Sequence, residues 1–174
     1  TSALDPETKD SILDLLENIN RKLGITIVLI THELHVAQKI CHRAAVMNGG
    51  EIVESGDIYS LFTMPVDPLT RGFLRTHFHE QIPDALRGKE EDGEYLRLAF
   101  SGEASLKPLI GRITRNFSVD ANILSGIITK IRNKPYGRLL IHLDGKKDET
   151  ARAVKYLREE GVRVEEIVND QLDR

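Results

Sequence analysis

Apolar residues in the first thirty positions follow a helical period and then form a nearly continuous run. Four of them share one face of a predicted helix: Ile12, Leu16, Ile19 and Leu23. Asp5 is a good N-cap for this helix, Pro6 is a good first residue, and Gly24 ends it. The run that follows, Ile25–Ile30, is rich in β-branched residues and predicts a parallel strand covered on both faces.

The next fifty residues predict a helix, a hairpin and two short helices. Asn48-Gly49 lies between two apolar runs, and this dipeptide favours the left-handed backbone that tight hairpin turns require. The predicted elements are a helix over about 33–41, strands over 44–47 and 51–56 joined by the turn 48–50, and helices over 58–62 and 69–78.

A stretch rich in acidic residues separates the two halves of the chain. Between His79 and Glu94 it carries six carboxylates against two basic residues, with proline and glycine interspersed. This composition is typical of a solvated connection between packed units. We therefore predict a first domain over residues 1–78, an acidic linker over 79–94 and a second domain over 95–174.

The second domain alternates between the periods of strands and helices in the order βαββαβ. The predicted elements are strand 95–100, helix 106–117, strand 119–131, turn 133–137, strand 139–143, helix 148–160 and strand 162–168. This order is that of the ferredoxin-like sandwich, an α+β fold in which two helices cover one face of a four-stranded sheet. The opposite face is expected to be bare and to meet a second copy of the chain or a ligand.

Composition narrows the classes of partner. The formal net charge of −3 gives no basic surface of the kind that neutralises phosphates, so nucleic acid is not expected as a partner. The single cysteine, Cys41, excludes an internal disulfide and a cysteine-pair zinc site. The longest apolar run is far shorter than the roughly 20 residues that span a bilayer, so membrane attachment has to go through a partner protein.

Two motifs in the first domain carry chemistry. Ser2-Ala3-Leu4-Asp5 opens the first helix, and His32 follows the predicted strand. Beyond the carboxyl end of a parallel strand, a histidine can donate a hydrogen bond to a phosphoryl group as charge develops on it. The chain contains no Gly-x-x-x-x-Gly-Lys-Ser/Thr phosphate loop, since Gly145-Lys146-Lys147 lacks the upstream glycine and the hydroxyl residue.

The order of these motifs resembles the second half of the ATPase subunits of ABC transporters. In that resemblance the Ser2–Asp5 segment is the D-loop at the interface of an ATPase dimer, His32 is the catalytic switch histidine, and the hairpin 48–56 ends the cassette core. The resemblance implies the C-terminal part of an α/β P-loop ATPase domain, with ATP and Mg²⁺ as cofactors of the full-length protein. It also implies that this chain is a C-terminal fragment that does not hydrolyse ATP by itself.

Each motif also has an interpretation without catalysis. Asp5 could serve only as a helix cap, and a lone histidine near a strand end is more often structural. The order of helix, strand and histidine favours the functional interpretation. His32-Glu33-Leu34-His35 fails as a zinc site, because that site needs two histidines four residues apart. The other histidines form no predicted site. His77 and His79 could bind a metal by chance at best, and His42 and His142 are expected at the surface or at an edge.

A second resemblance lies in the C-terminal domain. The segment Phe117–Gly126 contains Asn122-Ile123-Leu124 and resembles the signature of the NIL domain, the regulatory domain of the ATPase subunits of bacterial methionine importers. Ile40-Cys41 and the Pro-Leu-Thr segment 68–70 add to this resemblance. Asn122, Ile123 and Leu124 are therefore candidates for a methionine site at a dimer interface. The alternative is that the Asn122 amide only satisfies a neighbouring backbone group.

Together the resemblances imply the ATP-hydrolysing subunit of a methionine ABC importer, whose C-terminal domain binds methionine and inhibits transport. The implied subunit is a homodimer that lies peripherally on the cytoplasmic face of the bacterial cell membrane. Its implied partners are an integral-membrane permease and, indirectly, an extracytoplasmic substrate-binding protein. The alternative is a stand-alone amino-acid-sensing regulatory dimer with a remnant ATPase segment. Because no strand flanks Ile25–Ile30, we also expect large apolar surfaces to be uncovered in the first domain.

Overall fold

The structure, a computed structural model, describes residues 5–78 and 93–167 of the chain. Its helices are α1 Pro6–Leu23, α2 Leu34–Ile40, α3 Ile58–Thr63, α4 Pro68–His77, α5 Leu109–Asn116 and α6 Lys147–Glu159, and its strands are β1 Arg43–Asn48, β2 Glu51–Asp57, β3 Glu94–Ser101, β4 Val119–Ile131, β5 Lys134–Gly145 and β6 Arg163–Ile167. A short 3₁₀ helix, Gly102–Leu106, follows β3. The predicted linker falls almost wholly outside the described residues.

Helix α1 begins and ends as its sequence predicts. The Asp5 carboxylate accepts a hydrogen bond from the Thr8 amide at 2.9 Å, which satisfies one of the amides that lack a partner in a first helical turn. Gly24 ends the helix with φ 64°, a left-handed conformation that glycine adopts without a steric penalty. Both ends are therefore set by side chains and backbone within a few residues of them.

The strand predicted over Ile25–Ile30 is wrong. This run has no regular secondary structure, and its members Val28 and Ile30 are 85% and 94% exposed. A strand needs a neighbour for its backbone groups, and the described residues contain no strand beside this run.

In α1 the predicted apolar face is also uncovered at Leu23, which is 68% exposed, whereas Leu13 is buried. The expectation of exposed apolar surface in this region is thus confirmed.

The predicted hairpin is formed by β1 and β2. The strands pair antiparallel and close with Asn48 opposite Glu51. The two turn residues, Gly49 and Gly50, have φ of 57° and 87°, and a type I′ turn requires positive φ at both positions. Helices α2, α3 and α4 also lie close to their predicted bounds.

The C-terminal domain is the predicted ferredoxin-like sandwich. Its antiparallel sheet has the strand order β4-β5-β3-β6, and α5 and α6 cover one face. The core between sheet and helices includes Leu96, Leu98, Ile113, Ile141, Leu143, Ala153 and Leu157. β5 begins at Lys134 rather than at the predicted 139, because the chain reverses over Arg132-Asn133 and not over 133–137. Among the helices of the described ranges, none is both long and apolar enough to cross a membrane.

The other face of this sheet is not bare, which corrects the prediction. Side chains alternate between the two faces along a strand. Ile141 and Leu143 of β5 face α5 and α6, so Tyr136, an odd number of positions away from both, points to the opposite face. Its hydroxyl donates a hydrogen bond to the Phe62 carbonyl of α3 at 2.9 Å. A second buried cluster forms there from Ile58, Phe62, Leu74, Phe78, Ile131 and Tyr136. The short amphipathic helices α3 and α4 thus bury their apolar sides on the sheet, and the two predicted domains share a core.

Candidate functional site

Asp5 caps α1 with an ionised carboxylate. It accepts hydrogen bonds from the Thr8 amide at 2.9 Å and from the Thr8 hydroxyl at 2.7 Å. These two bonds, the amide first, hold the pKa of Asp5 below its ordinary value. The side chain is exposed, so it can cap the helix and still meet a partner. The other residues of the motif, Ser2, Ala3 and Leu4, lie outside the described residues.

His32 is exposed and lies between the apolar run and helix α2. The following residue, Glu33, is the N-cap of α2 and forms a salt bridge with Lys9 of α1 at 2.6 Å, with 16% of each side chain exposed. The Thr31 hydroxyl accepts a hydrogen bond from the Glu33 amide at 2.9 Å. Contacts on both sides of His32 therefore fix its backbone next to α1, one helical turn beyond Asp5.

Lys9 was not identified by sequence patterns, since its partner is 24 residues away along the chain. The histidines of this segment form no metal site in the described part of the chain, where no three His, Cys, Asp or Glu side chains are grouped to hold an ion. His35 instead lies with its Nε2 atom 3.6 Å from the Glu33 carboxylate.

Asn122-Ile123-Leu124 lies in the first half of β4, which is an edge strand of the sheet. Asn122 is opposite His142 of β5, so the two side chains lie on the same face, away from α5 and α6. The register shifts between Ile123 and Ser125, and such a bulge re-aims the residue it contains. Leu124 packs on that same face, against a small cluster made of Tyr95, Leu140 and Ile167.

The surface or edge position predicted for His142 is wrong. β5 is an inner strand, and the imidazole of His142 lies beside Tyr95 with ring centroids 4.7 Å apart. Its Nε2 atom is buried and has no hydrogen-bond partner among the described residues. A buried polar atom without a partner costs free energy that a ligand group can recover. No sequence pattern points to this residue, because only the strand order brings His142 beside Asn122.

The face near Asn122 therefore combines two hydrogen-bonding groups with apolar neighbours. The Asn122 amide can both donate and accept, and the His142 imidazole adds a ring nitrogen. Leu124, which is only partly buried, supplies apolar surface next to them. A small site of this kind suits a ligand with a charged end and an apolar side chain, which is the chemistry of an apolar amino acid.

Comparisons with known proteins agree with the sequence resemblances. Residues 94–166 match the family model of the NIL domain. The chain is 49% identical over 168 residues to the methionine import ATP-binding protein MetN of Halalkalibacterium halodurans, which is 96% of this chain and 50% of that protein. It is 43% identical over 173 residues to the protein of the same name from Bacillus subtilis, which is 97% of this chain and 51% of that protein.

The chain thus spans about half the length of the curated relatives it matches. A crystal structure of the C-terminal domain of an ABC transporter ATP-binding protein from Enterococcus faecalis is 32% identical, and the match covers 45% of this chain and 87% of that chain with a TM-score of 0.41. The predicted resemblance to the ATP-binding proteins of methionine import, and to their NIL domain, is confirmed by the sequence matches.

Proposed function

We propose that this chain is part of the ATP-hydrolysing subunit of a methionine importer, because its residues 94–166 carry a NIL domain. In this proposal the C-terminal domain binds methionine and thereby inhibits transport. The observation that carries the regulatory part is the pairing of Asn122 with His142 beside the apolar side chain of Leu124.

The proposed methionine site has a part for each end of the amino acid. The Asn122 amide and the His142 Nε2 atom would bind the charged amino and carboxylate groups, since both can form hydrogen bonds. Leu124 would contact the thioether side chain, which is apolar and flexible. Each bond to a charged group contributes about 1.5–3 kcal/mol, so losing one weakens binding roughly ten- to hundredfold.

A second copy of the chain would complete this site. β4 lies at the sheet edge and leaves one row of backbone groups unpaired among the described strands. Ile123 and Ile128 on this strand are 53% and 80% exposed, and pairing with another β4 would cover them. The proposed homodimer therefore forms along β4, next to the residues that bind methionine.

The ATPase part of the proposal assigns two roles in this chain. His32 would donate a hydrogen bond to the γ-phosphate during hydrolysis, and Asp5 would lie at the interface between two ATPase domains. Because the chain has no phosphate loop, ATP and Mg²⁺ would be held mainly by residues outside it. The full subunit would lie on the cytoplasmic face of the membrane, bound to an integral-membrane permease that receives methionine from an extracytoplasmic binding protein.

Calorimetric titration of the 174-residue chain with methionine tests the regulatory site. The unsubstituted chain is expected to bind methionine, and Asn122→Ala is expected to bind it at least about tenfold more weakly. His142→Phe keeps a ring against Tyr95 but removes Nε2, and should weaken binding similarly. Asn133→Ala is the matched control, because Asn133 is an exposed asparagine in the turn at the far end of β4.

Two results would contradict the proposal. Undiminished binding by both Asn122→Ala and His142→Phe would place the methionine site elsewhere. No binding by the unsubstituted chain, measured at a concentration at which it is dimeric, would remove methionine as the ligand.

A further inference from the structure

The turn between β4 and β5 holds the C-terminal end of helix α2. The Arg132 amide donates a hydrogen bond to the Gln38 carbonyl at 2.8 Å, and its Nη1 atom donates to the Ile40 carbonyl at 2.6 Å. Its Nη2 atom lies 3.2 Å from the Glu17 carboxylate of α1. The last carbonyls of a helix have no partner within it, so a guanidinium there satisfies them and complements the negative end of the helix dipole.

Apolar contacts reinforce this attachment. Ile131, the last residue of β4, is 1% exposed and belongs to the buried cluster against which Leu34, Ala37 and Cys41 pack. Arg132 itself has φ 52°, the one positive φ among the non-glycine residues of the described ranges. This uncommon backbone conformation lets both the amide and the side chain of Arg132 reach α2, and unusual conformations of this kind often mark functional positions.

Helix α2 joins this turn to His32. Arg132 contacts its last residue, Ile40, whereas His32 directly precedes its N-cap, Glu33. The helix has 7 residues, so it is only about 10 Å long at 1.5 Å per residue. At its other end the Lys9–Glu33 salt bridge ties it to α1. Helix α2 therefore links the position of the turn to the backbone next to His32.

We infer that Arg132 is a positioning residue that fixes α2, and through it His32, relative to the sheet that carries Asn122. Arg132 directly follows β4 and lies ten residues after Asn122, roughly 33 Å along an extended chain. Strand β4 thus runs from the proposed methionine site to the turn that contacts α2, the helix that follows His32. The inference that Arg132 positions a catalytic histidine rests on the proposed function. The inference that Arg132 fixes α2 does not.

Hydrogen exchange and NMR of the 174-residue chain without ligand test the inference. Arg132→Gly is the informative change, because glycine accepts φ 52° and the turn can keep its backbone conformation while the side-chain contacts are lost. It should speed amide exchange at 38–41 about tenfold, as expected for the loss of one charge-assisted hydrogen bond, and shift the imidazole resonances of His32. Exchange in β3 should stay the same.

Two further variants separate positioning from general stabilisation. Arg132→Lys keeps the charge but loses the planar fork, so its effect on 38–41 should be intermediate. Arg112→Ala is the control, because Arg112 is a partly buried arginine that contacts Tyr156 on the opposite side of the sheet. It should leave α2 and His32 unchanged.

Unchanged exchange at 38–41 and unchanged His32 resonances in Arg132→Gly would overturn the inference. An equal rise of exchange in β3 would also overturn it, since Arg132 would then only stabilise the whole chain. Failure of the proposed function is distinguishable from these results, because it appears as an absence of methionine binding by the unsubstituted chain.

Discussion

The Tyr136 hydroxyl ties helix α3 to the sheet face that the sequence predicts to be bare, and Tyr136→Phe removes this contact while keeping the ring. Tyr136 is 0% exposed, and its hydroxyl donates to the Phe62 carbonyl at 2.9 Å. The ring also contacts Phe78, with centroids 6.0 Å apart. The substitution therefore removes this buried hydrogen bond and keeps the apolar packing of the ring.

The size of the effect follows from what Phe62 loses. Its carbonyl lies in the last turn of α3, where helical carbonyls lack partners within the helix. Leaving a buried acceptor unsatisfied costs about 1–3 kcal/mol, so we expect the free energy of unfolding to fall by about 2 kcal/mol. For a chain of this size the melting temperature should fall by about 4–8 °C.

Urea unfolding followed by far-UV circular dichroism measures this change, since the chain contains no tryptophan for fluorescence. Tyr156→Phe is the matched control, because the Tyr156 hydroxyl lies 3.5 Å from Arg112 Nη1 and is only partly buried. It should cost less than about 0.5 kcal/mol. Equal losses in the two variants would mean that α3 does not lie on the sheet as described.

Two other predictions concern a carboxylate and the proposed catalytic histidine. Burial opposes ionisation of Glu54, but hydrogen bonds from the Val66 and Asp67 amides, together with the nearby Thr70 hydroxyl and Arg71 guanidinium, hold its pKa below the ordinary 4.5. Because the pKa is lower in the folded state, this stabilisation is complete above pH 4.5 and is lost as the pH falls through the folded-state pKa. Glu54→Gln should therefore flatten the acid-side decline of the urea midpoint, and Glu51→Gln in the same hairpin should not; identical declines would contradict this assignment. In the full-length subunit, His32→Ala should lower kcat by roughly 10²–10⁴ with little change in KM for ATP, and an unchanged kcat would exclude His32 from the reaction.

Local chemistry determined the elements that the sequence predicts correctly. The caps at Asp5 and Gly24 and the turn at Gly49-Gly50 depend on contacts within about four residues and on the backbone freedom of glycine. The βαββαβ order could likewise be derived from the change between strand and helix periods. These features are fixed before distant parts of the chain meet.

Only the tertiary structure decided which distant surfaces meet. The run Ile25–Ile30 has the pattern of a strand but forms none in this chain, because a strand needs a neighbour. The pairing of Asn122 with His142 depends on the strand order. The contact of Arg132 with α2 depends on a turn that packs against a helix far away in sequence. Periodicity tells which face of an element is apolar, but the complementarity of whole surfaces determines what covers that face.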